Sequence, residues 1–153
     1  MKPIVIAIKF CFFMLTAFCL CYCKKSNVPS NGLNIVLYNQ PLSVIQQHIQ
    51  GKWQLLYSKG GVATITQYYH NKFWEFDNDH VRFLDNNNLR VDTSIRWIHS
   101  DAAYTYRDST YIMNFNDKLG YIYNYVVDRI SNDTLILHED ASDAFFYRLV
   151  KSN

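Results

Sequence analysis

From Gly51 onward the chain is a series of short runs rich in Tyr, Phe, Trp, Ile and Val, separated by clusters of Asn, Asp, Gly and Ser. Such runs are typical of β-strands, and the polar clusters are typical of turns. Because parallel neighbours need a crossover of about a dozen residues or more, these short connections predict antiparallel pairing. The predicted strands are residues 52–58, 64–69, 72–76, 80–84, 89–98, 103–106, 111–115, 121–130, 134–139 and 145–150.

A sheet of about ten short strands has two unpaired edges unless its first and last strands meet. Closure into a barrel removes both edges. We therefore predict an all-β fold, a small antiparallel up-and-down barrel. An open sheet or a two-sheet sandwich is the alternative, and the periodicity of the strands does not distinguish them.

One helix is predicted, over residues 41–50 (PLSVIQQHIQ). Leu42, Ile45 and Ile49 recur at three- and four-residue spacing, and Pro41 suits a first helical position. Gly51 ends the segment. We expect this helix to cap one end of the sheet.

The N-terminal segment, residues 1–23, has the pattern of an export signal. Lys2 and Lys9 form a short basic region, and Phe10–Tyr22 is an uncharged, mostly apolar run. A secretory signal needs a basic start and about 7–15 apolar residues, whereas spanning a bilayer takes about 20. Lys9 interrupts the only stretch that is long enough to span. An uncleaved membrane anchor is the alternative.

Charge and cysteine content exclude several classes of function. All four cysteines lie within the first 23 positions, so the predicted barrel has neither a disulfide nor a reactive thiolate. Of the 15 basic residues, Lys2 and Lys9 lie in the signal, which leaves 13 against 13 acidic residues. We expect no nucleic-acid partner, because phosphate binding needs a surplus of Lys and Arg.

Cys23, followed by Lys24 and Lys25, resembles the lipoprotein signals of Bacteroides-type bacteria. Leu20 stands three residues before the cysteine, as in that pattern, whereas Tyr22 departs from the small residue usual there. The resemblance implies that Cys23 is the acylated N-terminus of the mature protein. The chain has no acidic run just after the cysteine of the kind that resembles surface-export signals in this group. The resemblance therefore implies an outer-membrane lipoprotein of the cell envelope that faces the periplasm.

Gly51-Lys52-Trp53, at the start of the first long strand, resembles the G-x-W motif of the lipocalins. The run GKWQLLYSKGG (residues 51–61) and the D-x-L-x-L strand (residues 133–137) are similar to the small lipocalin-like lipoproteins of Bacteroides-type bacteria. The resemblance implies that Trp53 packs across the closed end of a lipocalin-like barrel. It also implies a basic residue of the last strand over Trp53, with Arg148 the nearest candidate and Lys151 the alternative.

These patterns predict three segments: a lipoprotein signal peptide over residues 1–23, a tether over 24–40 and a lipocalin-like β-barrel domain over 41–153. The beginning of the tether, KKSNVPSNGL, is polar and contains Pro29 and Gly32, a composition typical of linkers.

Strand alternation selects the first candidate ligand-binding residues. In the first long strand it places Trp53, Leu55 and Tyr57 on one face, which we predict to be the interior. The same reasoning pairs Trp74 with Phe76. An eight-stranded barrel is either filled by side chains or holds one small ligand. Leu55, Tyr57 and Phe76 are therefore candidate ligand-binding residues, with an ordinary core role as the alternative.

Tyr121, Tyr123 and Tyr125 share one face of a single predicted strand. A buried phenol needs a hydrogen-bond partner, which a wet cavity or the solvent provides more easily than a dry core. The three tyrosines are therefore candidate ligand-binding residues, and a solvent-facing stripe is the alternative.

No pattern of catalytic or metal-binding residues is present in the sequence. The five histidines do not pair with one another or with cysteine at zinc-ligand spacing, and there is no G-x-S-x-G or phosphate-binding glycine loop. We expect no enzyme activity, no metal and no cofactor.

The predicted function is that of a lipid-anchored cell-envelope protein whose barrel binds a small, partly apolar ligand. The alternative is a non-enzymatic interaction protein that docks another envelope protein through its aromatic outer face. An enzyme acting on an envelope glycan or lipid would need a cluster of titratable groups that the sequence does not show.

Overall fold

The computed structural model describes residues 32–101 and 109–152. It contains one short helix and eleven strands. In chain order these are β1 (Ile35–Val36), α1 (Leu42–Ile49), β2 (Gly51–Gly60), β3 (Ile65–Tyr68), β4 (Lys72–Asp77), β5 (His80–Asp85), β6 (Asn88–Ser94), β7 (Arg96–Ser100), β8 (Thr110–Asn116), β9 (Ile122–Ser131), β10 (Thr134–Glu139) and β11 (Phe145–Lys151). Within the described residues, no helix is long and apolar enough to cross a membrane.

All strands belong to one antiparallel sheet, with neighbours in the order β6-β5-β4-β2-β11-β10-β9-β8-β7. Its central pairing joins β2, the first long strand, to β11, the last strand, from Trp53↔Lys151 to Gly60↔Phe145. This ladder connects the β4–β6 meander to the β7–β11 meander and curls the sheet into a nearly closed barrel. The predicted fold class, a small antiparallel up-and-down lipocalin-like barrel with one short helix, is confirmed.

Asparagine and aspartate form the two-residue turns of two hairpins. Asn86 and Asn87 join β5 to β6, and Asn132 and Asp133 join β9 to β10, all with positive φ. Two residues with positive φ form the turn whose twist matches that of paired strands. Asn and Asp tolerate this backbone region better than other non-glycine residues, which explains the Asn-rich composition of the predicted turns.

One predicted strand is divided in the structure. Residues 89–98 were predicted as one strand, but Ile95 separates β6 from β7 and donates its N–H to the Asp79 carbonyl at 2.6 Å. The chain thereby leaves its partner β5 and pairs with β8 instead. The strands β3 and β4 are separate, as predicted, and both pair with β2. The predicted strand 103–106 lies outside the described residues.

The fold begins before Pro41, where the predicted tether ends. β1 pairs with β9 through Ile35↔Ile130, and Leu37 is fully buried. Residues 35–37 therefore belong to the barrel, and the prediction that they are tether is wrong. The apolar run Ile35-Val36-Leu37 is the signal for this, set within polar sequence that is otherwise typical of a linker.

Helix α1 covers one end of the barrel, as predicted. It begins at Leu42, one residue after Pro41, and its buried side chains Ile45 and Ile49 join the main core. That core consists mainly of inward-facing strand residues together with Leu37 and the two helical isoleucines. A second, smaller cluster lies on the other face of the sheet, where Tyr38 and Ile98 pack against the buried Ile112 and Val126.

Candidate functional site

One end of the barrel, which we call the closed end, is sealed around Trp53. The Trp53 indole Nε1 donates to the Ile49 carbonyl at 2.6 Å, which ties β2 to the helix. The Lys151 ammonium lies 4.4 Å from the centre of the indole and donates to the Gln50 carbonyl. Leu37, Ile49 and Trp53 are each no more than 3% exposed, so this end is closed to solvent.

Lys151, not Arg148, is the basic residue over Trp53. Side chains alternate along β11, so Leu149 and Lys151 share the face of Trp53 while Arg148 points to the outer face. The Arg148 guanidinium lies 5.7 Å from the Tyr57 ring. Partial burial lowers the pKa of the Lys151 ammonium. The preference for Arg148 over Lys151 is therefore wrong.

Gly51 makes the turn from the helix into β2. Its φ of +98° is unfavourable for any residue with a side chain. A Cβ at this position would also lie 3.0 Å from the Lys151 ammonium. The glycine of the G-x-W motif therefore leaves room for the lysine that covers Trp53.

A cluster of aromatic rings crosses the barrel interior above the closed end. Trp74 of β4 stacks on Phe83 at 4.1 Å between ring centres and contacts Tyr125 and Tyr147 at 5.3 and 5.4 Å. Tyr125 and Tyr147 contact each other at 5.3 Å in an edge-to-face arrangement. Because β4 and β9 are not neighbours in the sheet, the Trp74–Tyr125 contact joins facing walls of the barrel. Contacts of this kind stabilise a core beyond the area they bury.

A half-buried carboxylate, Glu139, accepts hydrogen bonds within this cluster. Its Oε1 accepts from the Tyr147 hydroxyl at 2.5 Å, and its Oε2 accepts from the Phe145 N–H at 3.2 Å. Tyr125 stands directly opposite Glu139 in the β9–β10 ladder. Burial raises the pKa of both tyrosines, and the negative charge of Glu139 raises it further. Both phenols therefore stay protonated and able to donate at neutral pH.

Two more phenol pairs lie nearby. The Tyr123 hydroxyl donates to Asp117 Oδ2 at 3.2 Å, and burial followed by this hydrogen bond raises the pKa of Tyr123. The Tyr69 hydroxyl lies 2.9 Å from the Ser58 hydroxyl. Tyr69, Tyr123 and Tyr147 pack against the core yet are only half-buried, in contrast to the closed end. We call this region, with Tyr125 and Glu139, the tyrosine-rich end.

The structure brings four of the six predicted ligand-binding residues into the interior. Leu55, Phe76 and Tyr125 are each 3% exposed, and Tyr123 is half-buried beside Tyr125. Leu55 and Phe76 lie within the packed core, whereas Tyr123 and Tyr125 belong to the tyrosine-rich end. The solvent-facing alternative is therefore wrong for Tyr123 and Tyr125. It is correct for Tyr121, which precedes β9 and is 65% exposed.

Tyr57 lies on the outer face, so its placement in the interior is wrong. In the β2–β11 ladder Leu55 pairs with Leu149 and Tyr57 pairs with Arg148, which leaves Leu56 as one extra residue in β2. A bulge of one residue moves every later side chain to the opposite face. Ser58 and Gly60 are consequently buried, while the Tyr57 ring packs against the exposed Tyr68 at 5.7 Å.

Sequence reasoning missed Glu139 as a site residue. The alternation Leu135, Leu137, Glu139 along β10 is the signal that would have found it, because the two leucines are fully buried on the inner face. An acidic residue that continues an apolar inward stripe needs a hydrogen-bond donor. Here that donor is Tyr147, which shares its face of β11 with the buried Leu149.

A second buried polar pair lies on the outer face. His138 Nε2 is 3.4 Å from Asp128 Oδ2, and both side chains are about 5% exposed. Asp128 is the extra residue of a bulge in β9, since Ile136 pairs with Arg129 and Leu137 with Val127. Across residues 32–101 and 109–152, no group of three His, Cys, Asp or Glu side chains is placed to hold a metal ion.

No protein-family model, no curated protein and no solved structure matches this chain. The resemblance to lipocalin-like lipoproteins therefore stays a prediction. The predicted lipid-attachment residue, Cys23, lies outside the described residues.

Proposed function

We propose that this protein is an exported, lipid-anchored cell-envelope protein whose barrel binds a small, partly apolar ligand at the tyrosine-rich end. The observation that supports the proposal is the grouping of Tyr123, Tyr125, Tyr147 and Glu139 on the inner face at one end of the barrel. Tyr125 is buried and the other three are half-buried, whereas the opposite end is sealed around Trp53. Binding sites typically combine apolar and aromatic walls with a few converging polar groups.

The ligand lies above the Trp74, Tyr125 and Tyr147 rings rather than beneath them. These three rings contact one another from different strands, so they fill the interior between the tyrosine-rich end and the closed end. A flat, apolar ligand body stacks on their upper edges. Its polar group meets the hydroxyls and the carboxylate of the Tyr125–Tyr147–Glu139 network.

The polar group we expect is a hydrogen-bond donor. Glu139 is an acceptor when ionised, and a neutral phenol oxygen accepts as well as donates. A hydrogen bond to a charged group contributes about 1.5–3 kcal/mol, which corresponds to a preference of roughly tenfold or more. The protein should therefore prefer a ligand with an N–H over an isosteric one without it.

Indole and indene test this proposal, because they have the same shape and only indole has an N–H. We expect calorimetric titration of the full chain to show indole binding about tenfold more tightly than indene. Tyr147→Phe should reduce the ratio of indole affinity to indene affinity to about threefold, because it removes one of the oxygens that can accept from the indole N–H. Tyr68→Phe is the matched control, since Tyr68 is 72% exposed on the outer face. Equal affinities for indole and indene in the unmodified chain would refute the proposed site.

Lipid attachment is tested separately from ligand binding. Cys23→Ser should abolish acylation, so the variant should lack the mass of the lipid and leave the membrane fraction. Cys21→Ser is the control, because we place the attachment at Cys23. A Cys23→Ser variant that keeps the mature, acylated mass would show that the anchor is assigned to the wrong residue.

A non-enzymatic interaction protein is the second candidate, and exposed apolar residues favour it. Val62 is 88% exposed at the β2–β3 turn, and Tyr68 is 72% exposed on the adjoining strand. We expect a double Val62→Ser and Tyr68→Ser variant to lose any cross-linked envelope partner while it keeps its indole affinity. If the double variant is still cross-linked to the same envelope partner, docking through this surface is excluded.

A further inference from the structure

We propose that the outer face of the barrel carries a second binding site, for a small anion attached to an apolar body. The site is a groove of about 490 Å³ across β2, β11, β10 and β9. We call it the basic groove. Its principal residues are Tyr57, Lys59, Arg129, Ile136, Phe146 and Arg148.

Three cations and no carboxylate line the basic groove. Lys59, Arg129 and Arg148 contribute the positive charge. Arg129 is partly compensated, because its Nε lies 3.6 Å from Asp128 Oδ2. Within the described part of the chain, Arg148 and Lys59 have no acidic partner. Since residues 32–153 have 11 basic against 13 acidic residues, this excess of positive charge is local and favours an anion.

Arg148 is held in place for anion binding by its neighbours. Its guanidinium lies over the Tyr57 ring, 5.7 Å from the ring centre. A guanidinium that stacks on an aromatic ring keeps its N–H groups free at the edge. Those donors match the paired oxygens of a carboxylate, sulfate or phosphate monoester.

The floor of the groove between the two arginines is apolar. Ile136 stands directly between Arg148 and Arg129 in the sheet, because Arg148, Ile136 and Arg129 are paired across three neighbouring strands. Phe146, two residues before Arg148 on the same face, is 42% exposed and forms an apolar wall. An inorganic anion would leave these surfaces uncovered. A short alkyl or aryl group on the anion would cover them.

The groove is preformed because two turns meet tightly at its rim. A Cβ on Gly60 would lie 2.2 Å from the Ala144 carbonyl oxygen, so the β2–β3 and β10–β11 connections touch backbone to backbone. Gly61 and Thr64 both have positive φ, and the Thr64 N–H donates to the Gly61 carbonyl at 2.9 Å. A rigid rim spares a ligand the cost of ordering a loop.

Three probes of matched chemistry test the basic groove: hexyl phosphate, inorganic phosphate and 1-hexanol. In titrations of the full chain we expect hexyl phosphate to bind about tenfold more tightly than either of the others, because it alone satisfies both the cations and the apolar floor. Arg148→Gln should weaken hexyl phosphate binding about tenfold. Arg90→Gln is the control. The Arg90 side chain lies on β6 and is 64% exposed, so this substitution should leave the affinity for hexyl phosphate unchanged.

Two results would overturn the proposal. One is equal affinity for hexyl phosphate and inorganic phosphate, which would indicate unspecific attraction of an anion. The other is an unchanged affinity of Arg148→Gln. If Tyr147→Phe reduces hexyl phosphate binding while Arg148→Gln does not, the probe enters the barrel instead. Arg148 and Tyr147 lie on opposite faces of the sheet. The basic groove and the proposed site at the tyrosine-rich end can therefore be refuted independently of each other.

Discussion

The two ends of the barrel bury aromatic side chains in different ways. At the closed end, the Trp53 N–H donates to a helix carbonyl, and Lys151 covers the ring. At the tyrosine-rich end, Tyr123 and Tyr147 donate to the carboxylates of Asp117 and Glu139 and remain half-buried. The first arrangement uses fixed backbone partners. The second uses side chains that are partly exposed to solvent.

This difference separates a sealed part of the molecule that supports folding from a partly exposed part, where we propose that the ligand binds. A buried aromatic ring whose only polar atom is satisfied by backbone contributes its full apolar area to stability. Phenols paired with carboxylates bury less surface and keep donors and acceptors near solvent. Substitutions at the closed end should therefore act on stability, and substitutions at the tyrosine-rich end should act mainly on binding and pH dependence.

Trp53→Ala should cause the largest loss of stability. Removing a fully buried tryptophan from a core typically costs about 3–5 kcal/mol in free energy of unfolding. Urea denaturation measures the loss, and Tyr68→Ala, at a 72% exposed position, should change stability by no more than about 0.5 kcal/mol. If both variants lose similar stability, the closed end is not the part that holds the barrel together.

Gly60→Ala should destabilise the wall of the tyrosine-rich end by about 1–3 kcal/mol, the usual cost of overpacking. The added Cβ would meet the Ala144 carbonyl oxygen and the Phe145 backbone, neither of which is a flexible side-chain end. Gly120→Ala is the comparison, because no atom lies within 4 Å of its new Cβ although its φ is +86°. Equal losses in urea denaturation would mean that backbone conformation, not close approach, sets the cost at Gly60.

Alkaline pH should destabilise the protein through Tyr125 and Tyr147. Their pKa values are raised in the folded state, so the unfolded chain loses these protons first. Stability from this source is complete below about pH 10 and falls above it, by up to about 1.4 kcal/mol per pH unit for each tyrosine. Urea denaturation between pH 9 and 11 should therefore show a shallower decline for Tyr147→Phe. Trp53→Phe, which removes no titrating group, should leave the slope unchanged.

Lys151→Met should have the smallest effect, about 0.5–1 kcal/mol, from loss of the cation–π contact with Trp53. It should also shift the fluorescence emission of Trp53. The measurement uses a background with Trp74→Phe and Trp97→Phe, in which Trp53 is the one remaining tryptophan. Arg148→Met is the control, because Arg148 lies over Tyr57 on the outer face. A shift caused by Arg148→Met and not by Lys151→Met would restore Arg148 as the residue that covers Trp53.

Local sequence signals predicted the elements better than the site. The Asn and Asp clusters located the hairpins because those residues tolerate positive φ. Leu42, Ile45 and Ile49 located the helix because their spacing makes one apolar stripe. The site depended on which face each side chain occupies, and alternation was correct for Leu55 and Phe76 but wrong for Tyr57.

The sequence by itself determined the antiparallel strands, their turns and the helix, since each depends on residues that are close together in the chain. The tertiary structure alone decided the pairing of β2 with β11, the inward face of Tyr123 and Tyr125, and the choice of Lys151 over Arg148. The bulges at Leu56 and Asp128 are the physical reason for the faces of Tyr57, Tyr123 and Tyr125. A single extra residue reverses the face of every residue after it, and only pairing with a distant strand reveals that the residue is extra.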